Sequence, residues 1–108
     1  HPRPEEELKS RVKDIQDKTA GLLRKTETAL LAAMDAIIKA KAAGVPDERL
    51  SASGALIRRG QLRWDFVFSE NGTGFHSPQE AARVLAEAID FARQAELAAA
   101  LLAPAGIR

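Results

Sequence analysis

The chain contains no cysteine, no tyrosine and only two histidines, and each shortage removes a class of chemistry. Without cysteine there is no disulfide, no thiolate nucleophile and no cysteine-ligated metal. His76 is the single internal histidine and cannot form a metal site alone, so any ligation needs other ligands from elsewhere. No run of about 18 apolar residues is present, so the sequence predicts no insertion into a membrane.

Aromatic residues make up only 5% of the 108 residues, whereas 45% are hydrophobic, mostly alanine and leucine. That profile favours closely packed helices over sheets. The 16 basic and 15 acidic side chains are interspersed, and a net charge of +1 predicts no binding of nucleic acid. Spaced carboxylate pairs, Glu-x-x-His pairs and nucleotide-binding glycine loops are also missing. We therefore expect one helical domain without catalytic residues.

The first helix is predicted over about residues 5–43, a stretch with one glycine and no proline. Apolar or small positions recur in steps of four and three, close to a heptad seam. These positions are Leu8, Val12, Ile15, Thr19, Leu22, Thr26, Leu30, Met34, Ile37 and Lys41. Three glutamates in the first turn suit the helix dipole, and Gly44 followed by Val45 and Pro46 ends the helix. Thr19 and Thr26 are polar exceptions that we expect to tune packing.

The second helix is predicted over about residues 46–70. Its apolar face contains Leu50, Ile57, Trp64 and Phe68, widened by Leu56 and Val67. Gly54 and Gly60 each weaken a helix by roughly 1 kcal/mol relative to alanine, so we expect another backbone to approach closely at both. Asn71-Gly72 and Gly74 are expected to end this helix.

The third helix is predicted over about residues 78–103. Ser77 as N-cap, Pro78 at the first position and Glu80 three residues on form a capping box. Its apolar stripe is Val84, Ala88, Phe91, Ala95, Ala98 and Leu102. So many alanines allow short distances between helix axes.

These lengths predict an all-α, three-helix antiparallel (up-down-up) bundle with one extra-long first helix. At 1.5 Å per residue the first helix is about 57 Å long and the others about 35 to 40 Å. About 15 to 20 Å of the apolar seam near Leu8 to Leu22 therefore has no partner within the chain. Such a strip predicts a second copy or a missing domain beside it.

His76, just before the N-cap of the third helix, has two interpretations. It is a polar loop residue that covers the helix end, or it is a ligand to a metal or haem iron. The helix dipole disfavours imidazolium there and keeps a nitrogen lone pair free near neutral pH.

Trp64 and the arginines of the second helix also have two interpretations each. Trp64 is a core residue, or a buried aromatic whose neighbour Asp65 supplies a capping or pairing carboxylate. Arg58, Arg59 and Arg63 form ion pairs on a solvated face, or contact a haem propionate or a phosphate.

The sequence resembles the C-terminal helical region of ammonia-forming cytochrome c nitrite reductases, which are pentahaem enzymes. The most specific likeness is Arg63-Trp64-Asp65-Phe66-Val67, Ser69-Glu70-Asn71 and Gly74-Phe75-His76-Ser77-Pro78-Gln79-Glu80-Ala81. Val12, Ile15-Gln16-Asp17, Arg83-Val84-Leu85-Ala86 and Ala88-Ile89 are similar too.

The resemblance implies a periplasmic or otherwise exported oxidoreductase that reduces nitrite to ammonium with six electrons at a lysine-ligated haem. Four bis-histidine haems pass electrons, and His76 would be the distal axial ligand to one of them. The family's long C-terminal helices imply a homodimer through helix 1, with the haem domain of the parent chain as the other partner. Without a Cys-x-x-Cys-His motif, this chain alone binds no haem c and is expected to be inactive.

His1 suggests a boundary within a longer protein, because the chain does not begin with methionine. By the resemblance, His1 is the last residue of a haem-attachment motif whose cysteines precede it, a hypothesis that the upstream coding sequence tests. The alternative function is a free-standing helical dimerisation module with no haem role. A nucleic-acid binder that uses the arginine cluster would require strongly salt-dependent binding.

Overall fold

The computed structural model describes residues 4–73 and 77–104. They form three helices: α1 Pro4–Ala42, α2 Asp47–Thr73 and α3 Pro78–Leu102. No strand occurs within these two stretches, and the helices form the antiparallel, all-α bundle with an extra-long first helix that the sequence predicts. At 1.5 Å per residue the 39 residues of α1 span about 58 Å, close to the molecule's longest dimension of 63 Å.

The turn after α1 has the hydrogen bonds of a Schellman motif. Gly44 has a φ of +96°, a conformation that glycine adopts without strain. Its N–H donates to the carbonyl of Lys41, and the N–H of Val45 donates to the carbonyl of Ala40, both at 3.0 Å. Carbonyls that the helix end leaves unpaired are thereby satisfied, and the chain reverses into α2.

The core lies between the three helices and is built largely from alanine on α3. Ala88, Ala92, Ala95 and Ala99 are each 0% exposed, so the backbone of α3 lies close to its neighbours. Leu30 and Ile57 pack against this line from α1 and α2. The small side chains predicted for α3 therefore do allow close helix packing.

The predicted apolar seam of α1 is buried in the middle of the helix, at Thr19, Thr26 and Leu30. Its first and last positions, Leu8 and Lys41, are exposed. Thr26 is fully buried, and its hydroxyl donates to the carbonyl of Leu22 at 2.8 Å. Leu23 is 5% exposed and occupies a core position, while the predicted Lys41 is exposed. A helix of 3.6 residues per turn drifts by about 20° per heptad relative to a strict 3.5-residue seam, so neighbouring residues take over the core positions.

Two predictions for α2 are wrong at individual residues. The helix continues through Asn71 and Gly72 to Thr73, three residues past the predicted end. Phe68, predicted on the buried face, is 58% exposed because it stacks outside Trp64, with ring centroids 5.0 Å apart. At this end of α2, the contact of Asn71 with α1 outweighs the tendency of Asn71 and Gly72 to end a helix.

The two glycines of α2 have different surroundings. A Cβ at Gly60 would lie 3.1 Å from the carbonyl oxygen of Ala88 and 3.0 Å from Cδ2 of Leu30, which confirms the close backbone approach predicted there. Among the described residues, and apart from the helix's own backbone, a Cβ at Gly54 would have one neighbour within 4 Å, the side chain of Arg58 on the same helix. The prediction of a close backbone is therefore wrong for Gly54.

Candidate functional site

The candidate site lies at the end of the bundle where α2 is followed by α3. His76 belongs to residues 74–76, which lie outside the described residues, and His1 lies outside them too. The flanking residues are described: α2 ends at Thr73, and Ser77 precedes the first residue of α3, Pro78. The site is therefore defined by the groups on either side of the connection.

The start of α3 has the predicted N-cap at Ser77, while both carboxylate oxygens of Glu80, the other member of the predicted capping box, accept from Arg83. The N–H of Glu80 donates to the hydroxyl oxygen of Ser77 at 3.3 Å, and Pro78 occupies the first turn. The N–H of Ala81 donates to the carbonyl of Ser77 at 2.9 Å. These bonds fix the direction of the first turn, whose remaining N–H groups give this end a partial positive charge.

A chain of alternating charges connects the start of α3 to α2. Arg83 pairs with Glu80 and, at 2.9 Å, with Glu87; the other carboxylate oxygen of Glu87 accepts from Arg63 of α2 at 3.1 Å. The guanidinium of Arg63 also lies 4.7 Å from the ring centroid of Phe91, a cation–π distance. We name these four charged residues the charge ladder.

The charge ladder shifts two pKa values. The hydrogen bond from Arg83 lowers the pKa of Glu80, with a smaller contribution from the positive charge itself. Its hydrogen bond to Glu80 raises the pKa of Arg83, and the charges of Glu80 and Glu87 add to this. All four side chains of the ladder are more than one third exposed, so solvent screens the pairs and each contributes little to stability.

Of the two interpretations of the arginine cluster, the pair of Arg63 with Glu87 supports ion pairing for Arg63. Arg59 lies 5.9 Å from the centroid of the Phe91 ring, and Arg58 is exposed on the same helix. Sequence reasoning missed the role of Glu87. The spacing of Glu80, Arg83 and Glu87 indicates pairing along α3, but the contact with Arg63 depends on how α2 and α3 pack.

A second contact joins the end of α2 to α1. The side-chain amide of Gln16 donates to the carbonyl of Asn71, and the side-chain amide of Asn71 donates to the carbonyl of Gln16, both at 3.4 Å. The Oδ1 atom of Asn71 is buried and has no hydrogen-bond partner among the residues that the structure describes. This reciprocal pair sets the last turns of α2 beside Gln16.

Trp64 connects the site to the core. It is half-buried and packs against two of the core clusters, and its indole N–H donates to the carbonyl of Leu23 at 2.9 Å. Asp65 is exposed. The core interpretation of Trp64 is therefore favoured over a buried tryptophan–carboxylate pair.

In the stretches 4–73 and 77–104, no group of three or more histidine, cysteine, aspartate or glutamate residues could hold a metal ion. Within the same residues no helix is long and apolar enough to cross a membrane.

Comparison with known proteins gives a consistent set of relatives. The family model described as cytochrome c552 matches residues 1–108. A cytochrome c-552 of Parabacteroides distasonis is 37% identical over 103 residues, which is 93% of this chain and 20% of the relative. A cytochrome c-552 of Bacteroides fragilis is 39% identical over 101 residues, 91% of this chain and 20% of the relative.

A cytochrome c nitrite reductase subunit NrfA of Nitratidesulfovibrio vulgaris is 37% identical over 94 residues, 82% of this chain and 18% of the relative. The chain thus spans about one fifth of the length of the curated relatives that it matches. No solved structure matches it significantly.

Proposed function

The chain belongs to the cytochrome c552 family, and we propose that it is the C-terminal helical part of an exported multihaem cytochrome c nitrite reductase. In this proposal the parent protein reduces nitrite to ammonium, and this chain contributes no catalytic residue. The relative from Nitratidesulfovibrio vulgaris that is named as a nitrite reductase subunit supports that activity. Since the chain has no cysteine, the rest of the parent protein must attach every haem c group.

His76 is the residue that we assign to the haem, as the distal axial ligand of an electron-transfer group. The observation that carries this assignment is the position of His76 directly before the N-cap of a 25-residue helix, in a chain of this family. The partial positive charge at that helix end disfavours imidazolium. A neutral imidazole is the form that binds iron, so the site suits axial ligation.

The surroundings of the connection fit a residue that must be held in place. A haem bound at His76 would supply one-electron transfer. The cap at Ser77 fixes the first turn of α3, and the ladder residue Arg63 ties α3 to α2 through Glu87. On the other side, the Gln16–Asn71 pair ties the end of α2 to α1. Residues on both sides of the ligand thereby contact the rest of the bundle, and contacts of this kind help to orient a residue that binds iron.

Substitution of His76 in the haem-loaded parent protein tests the assignment. We expect His76→Ala to convert one low-spin haem to a high-spin or five-coordinate form, seen by electron paramagnetic resonance and visible absorption. Gln79→Ala, at an exposed position in the first turn of α3, is the matched control and should leave the spectra unchanged. If His76→Ala left every haem low-spin and instead lowered thermal stability by several kcal/mol, His76 would be a structural loop residue.

His1 completes the proposal as the last residue of a haem-attachment motif. The coding sequence upstream tests it directly: a Cys-x-x-Cys pair immediately before His1 is expected. A start codon and ribosome-binding site at that position would contradict both this assignment and the nitrite reductase proposal.

We also propose that the parent protein is a homodimer through helix 1. Leu31 and Ile38 lie seven residues apart on one side of α1 and are 56% and 63% exposed, which supports a helical contact surface there. The same exposed residues favour the second candidate function, a free-standing helical dimerisation module. That module should associate in a concentration-dependent way in sedimentation experiments and have no affinity for haem.

A further inference from the structure

An asparagine followed by a glycine lies in the last turn of α2. Asn71 and Gly72 both belong to this helix, which ends at Thr73. An asparagine in such a pair is open to spontaneous deamidation, because the following glycine has no side chain to obstruct the approach of its backbone nitrogen to the asparagine Cγ. The pair therefore has a chemical reactivity of its own, separate from the binding of haem.

The reaction consumes one water molecule and releases one ammonia, without oxidation or reduction. The backbone nitrogen of Gly72 loses its proton and bonds to Cγ of Asn71, while the bond from Cγ to Nδ2 breaks and Nδ2 leaves as ammonia. Water then opens the resulting cyclic imide at one of its two carbonyl carbons. Opening at Cγ gives aspartate. Opening at the main-chain carbonyl gives isoaspartate, in which the backbone runs through Cγ.

The helix opposes this reaction in two ways. A helical ψ of about −42° holds the nitrogen of Gly72 away from Cγ of Asn71. The helical pattern also engages the Gly72 N–H with the carbonyl four residues earlier. The attack therefore requires the last turn of α2 to open. Helix ends open at lower free energy than the core, and asparagine and glycine are poor helix formers, so this turn is a favourable place for opening.

The contact with α1 holds this turn closed. A helix leaves its last carbonyls without a helical donor, and the side-chain amide of Gln16 donates to the carbonyl of Asn71 at 3.4 Å. Nδ2 of Asn71, the group that must leave, donates to the carbonyl of Gln16 at the same distance. Both bonds are longer than the usual range of about 2.7 to 3.2 Å, so they hold the turn only weakly.

We propose that Asn71 is a deamidation site whose rate is set by the opening of the last turn of α2 against Gln16, and that the product releases this end of α2 from α1. Aspartate at this position has no N–H to donate to the carbonyl of Gln16. It also places a negative charge at the C-terminal end of a helix, where the dipole disfavours it. Isoaspartate adds a carbon to the backbone and so interrupts the helical repeat.

Peptide mapping of the 108-residue chain by mass spectrometry measures aspartate and isoaspartate at position 71 over time. We expect the folded chain to deamidate at least about tenfold more slowly than the same chain unfolded in urea. Gln16→Ala removes one of the two bonds and should raise the rate in the folded chain about two- to fivefold. Gln61→Ala is the matched control, because it makes the same change at an exposed position of α2 and should leave the rate unchanged.

Hydrogen exchange of the backbone amides shows whether the opening is local. A faster rate in Gln16→Ala but not in Gln61→Ala, with unchanged exchange at the buried Ala88, supports the proposal. Equal deamidation rates in the two variants overturn it, as does the same rate in the folded and unfolded chains. If the amide of Ala88 exchanged faster by the same factor as the deamidation rate, the opening would be global and the role of Gln16 would be wrong.

Asn71→Asp reproduces one product and tests its effect on the helix. We expect the amides of the last turn of α2 to exchange about fivefold faster in this variant, because a hydrogen bond to α1 is lost. Gln61→Glu, which adds the same charge at an exposed position of the same helix, should leave them unchanged. Equal exchange in the two variants would show that the product leaves the end of α2 in place, which contradicts the release. None of these measurements requires haem, so their outcome is independent of the assignment of His76.

Discussion

The two glycines of α2 allow a sharp test of the packing. Gly60 is buried where α2 meets α3, and a Cβ there would lie 3.1 Å from the carbonyl oxygen of Ala88 and 3.0 Å from Leu30. A Cβ at Gly54 would meet the flexible end of Arg58 at 3.6 Å and no other side chain of the described residues within 4 Å. Gly60→Ala and Gly54→Ala thus make the same chemical change in the same helix with opposite steric consequences.

The magnitudes follow from two opposing effects. Alanine in place of glycine stabilises a helix interior by about 1 kcal/mol. At Gly60 the added methyl group must displace backbone of α3, and overpacking of this kind costs about 1 to 3 kcal/mol. We expect Gly60→Ala to destabilise by about 1 kcal/mol and Gly54→Ala to stabilise by about the same amount.

Urea and thermal unfolding of the 108-residue chain, followed by the circular dichroism of its helices, measure both variants. A difference of about 2 kcal/mol corresponds to melting temperatures about 8 °C apart. If Gly60→Ala were as stable as Gly54→Ala, the close approach of α2 and α3 would be wrong. An unchanged dependence of the unfolding free energy on urea would show that both variants expose the same surface on unfolding, so that their midpoints compare their stabilities.

Two further perturbations probe the contacts around the site. Trp64→Phe removes the indole N–H that donates to the carbonyl of Leu23 and should cost about 1 kcal/mol in urea unfolding, whereas an unchanged midpoint would mean that this bond adds nothing. The pKa of Glu80 is lowered in the folded state by its hydrogen bond from Arg83, so its contribution to stability is present above the ordinary carboxyl pKa and is lost as the pH falls through the lowered one. Arg83→Gln should therefore reduce the loss of stability below about pH 4.3, and an identical acid titration would refute the pairing.

The helix starts and stops were predictable where a local motif determines them. At Gly44 a residue without a side chain meets the positive φ that the turn requires, and at Ser77 a hydroxyl accepts from the start of the helix; both are found in the structure. Asn71 and Gly72 carry an equally clear local signal for a helix end, yet α2 continues through them. The contact of Asn71 with Gln16 comes from 55 positions away in the chain, and no local pattern contains it.

The candidate site was less predictable than the fold, because its support comes from pairs between helices. No local sequence pattern predicts that Arg63 pairs with Glu87, because the pair depends on the register of α2 against α3. The unpaired apolar seam of α1 was predictable from helix lengths alone, and the structure limits it to the part near Leu8 and Val12. Helix length is a property of the local sequence, whereas pairing requires the packed structure.

The position of a ligand before α3 depends more on the alanine core than on the charge ladder. The pair of Arg83 with Glu80 joins side chains that are 57% and 55% exposed, and solvent screens such pairs so strongly that they add little to stability. Ala88 and Ala92 are completely buried, and a larger side chain at either would force α3 away from its neighbours. Loss of the ladder should therefore leave the direction of α3 intact, whereas a larger residue at Ala88 would move its first turn. The spin state of a haem bound at His76 should accordingly tolerate Arg83→Gln and respond to Ala88→Leu, and the reverse pattern would show that the charges, not the core, hold the ligand in place.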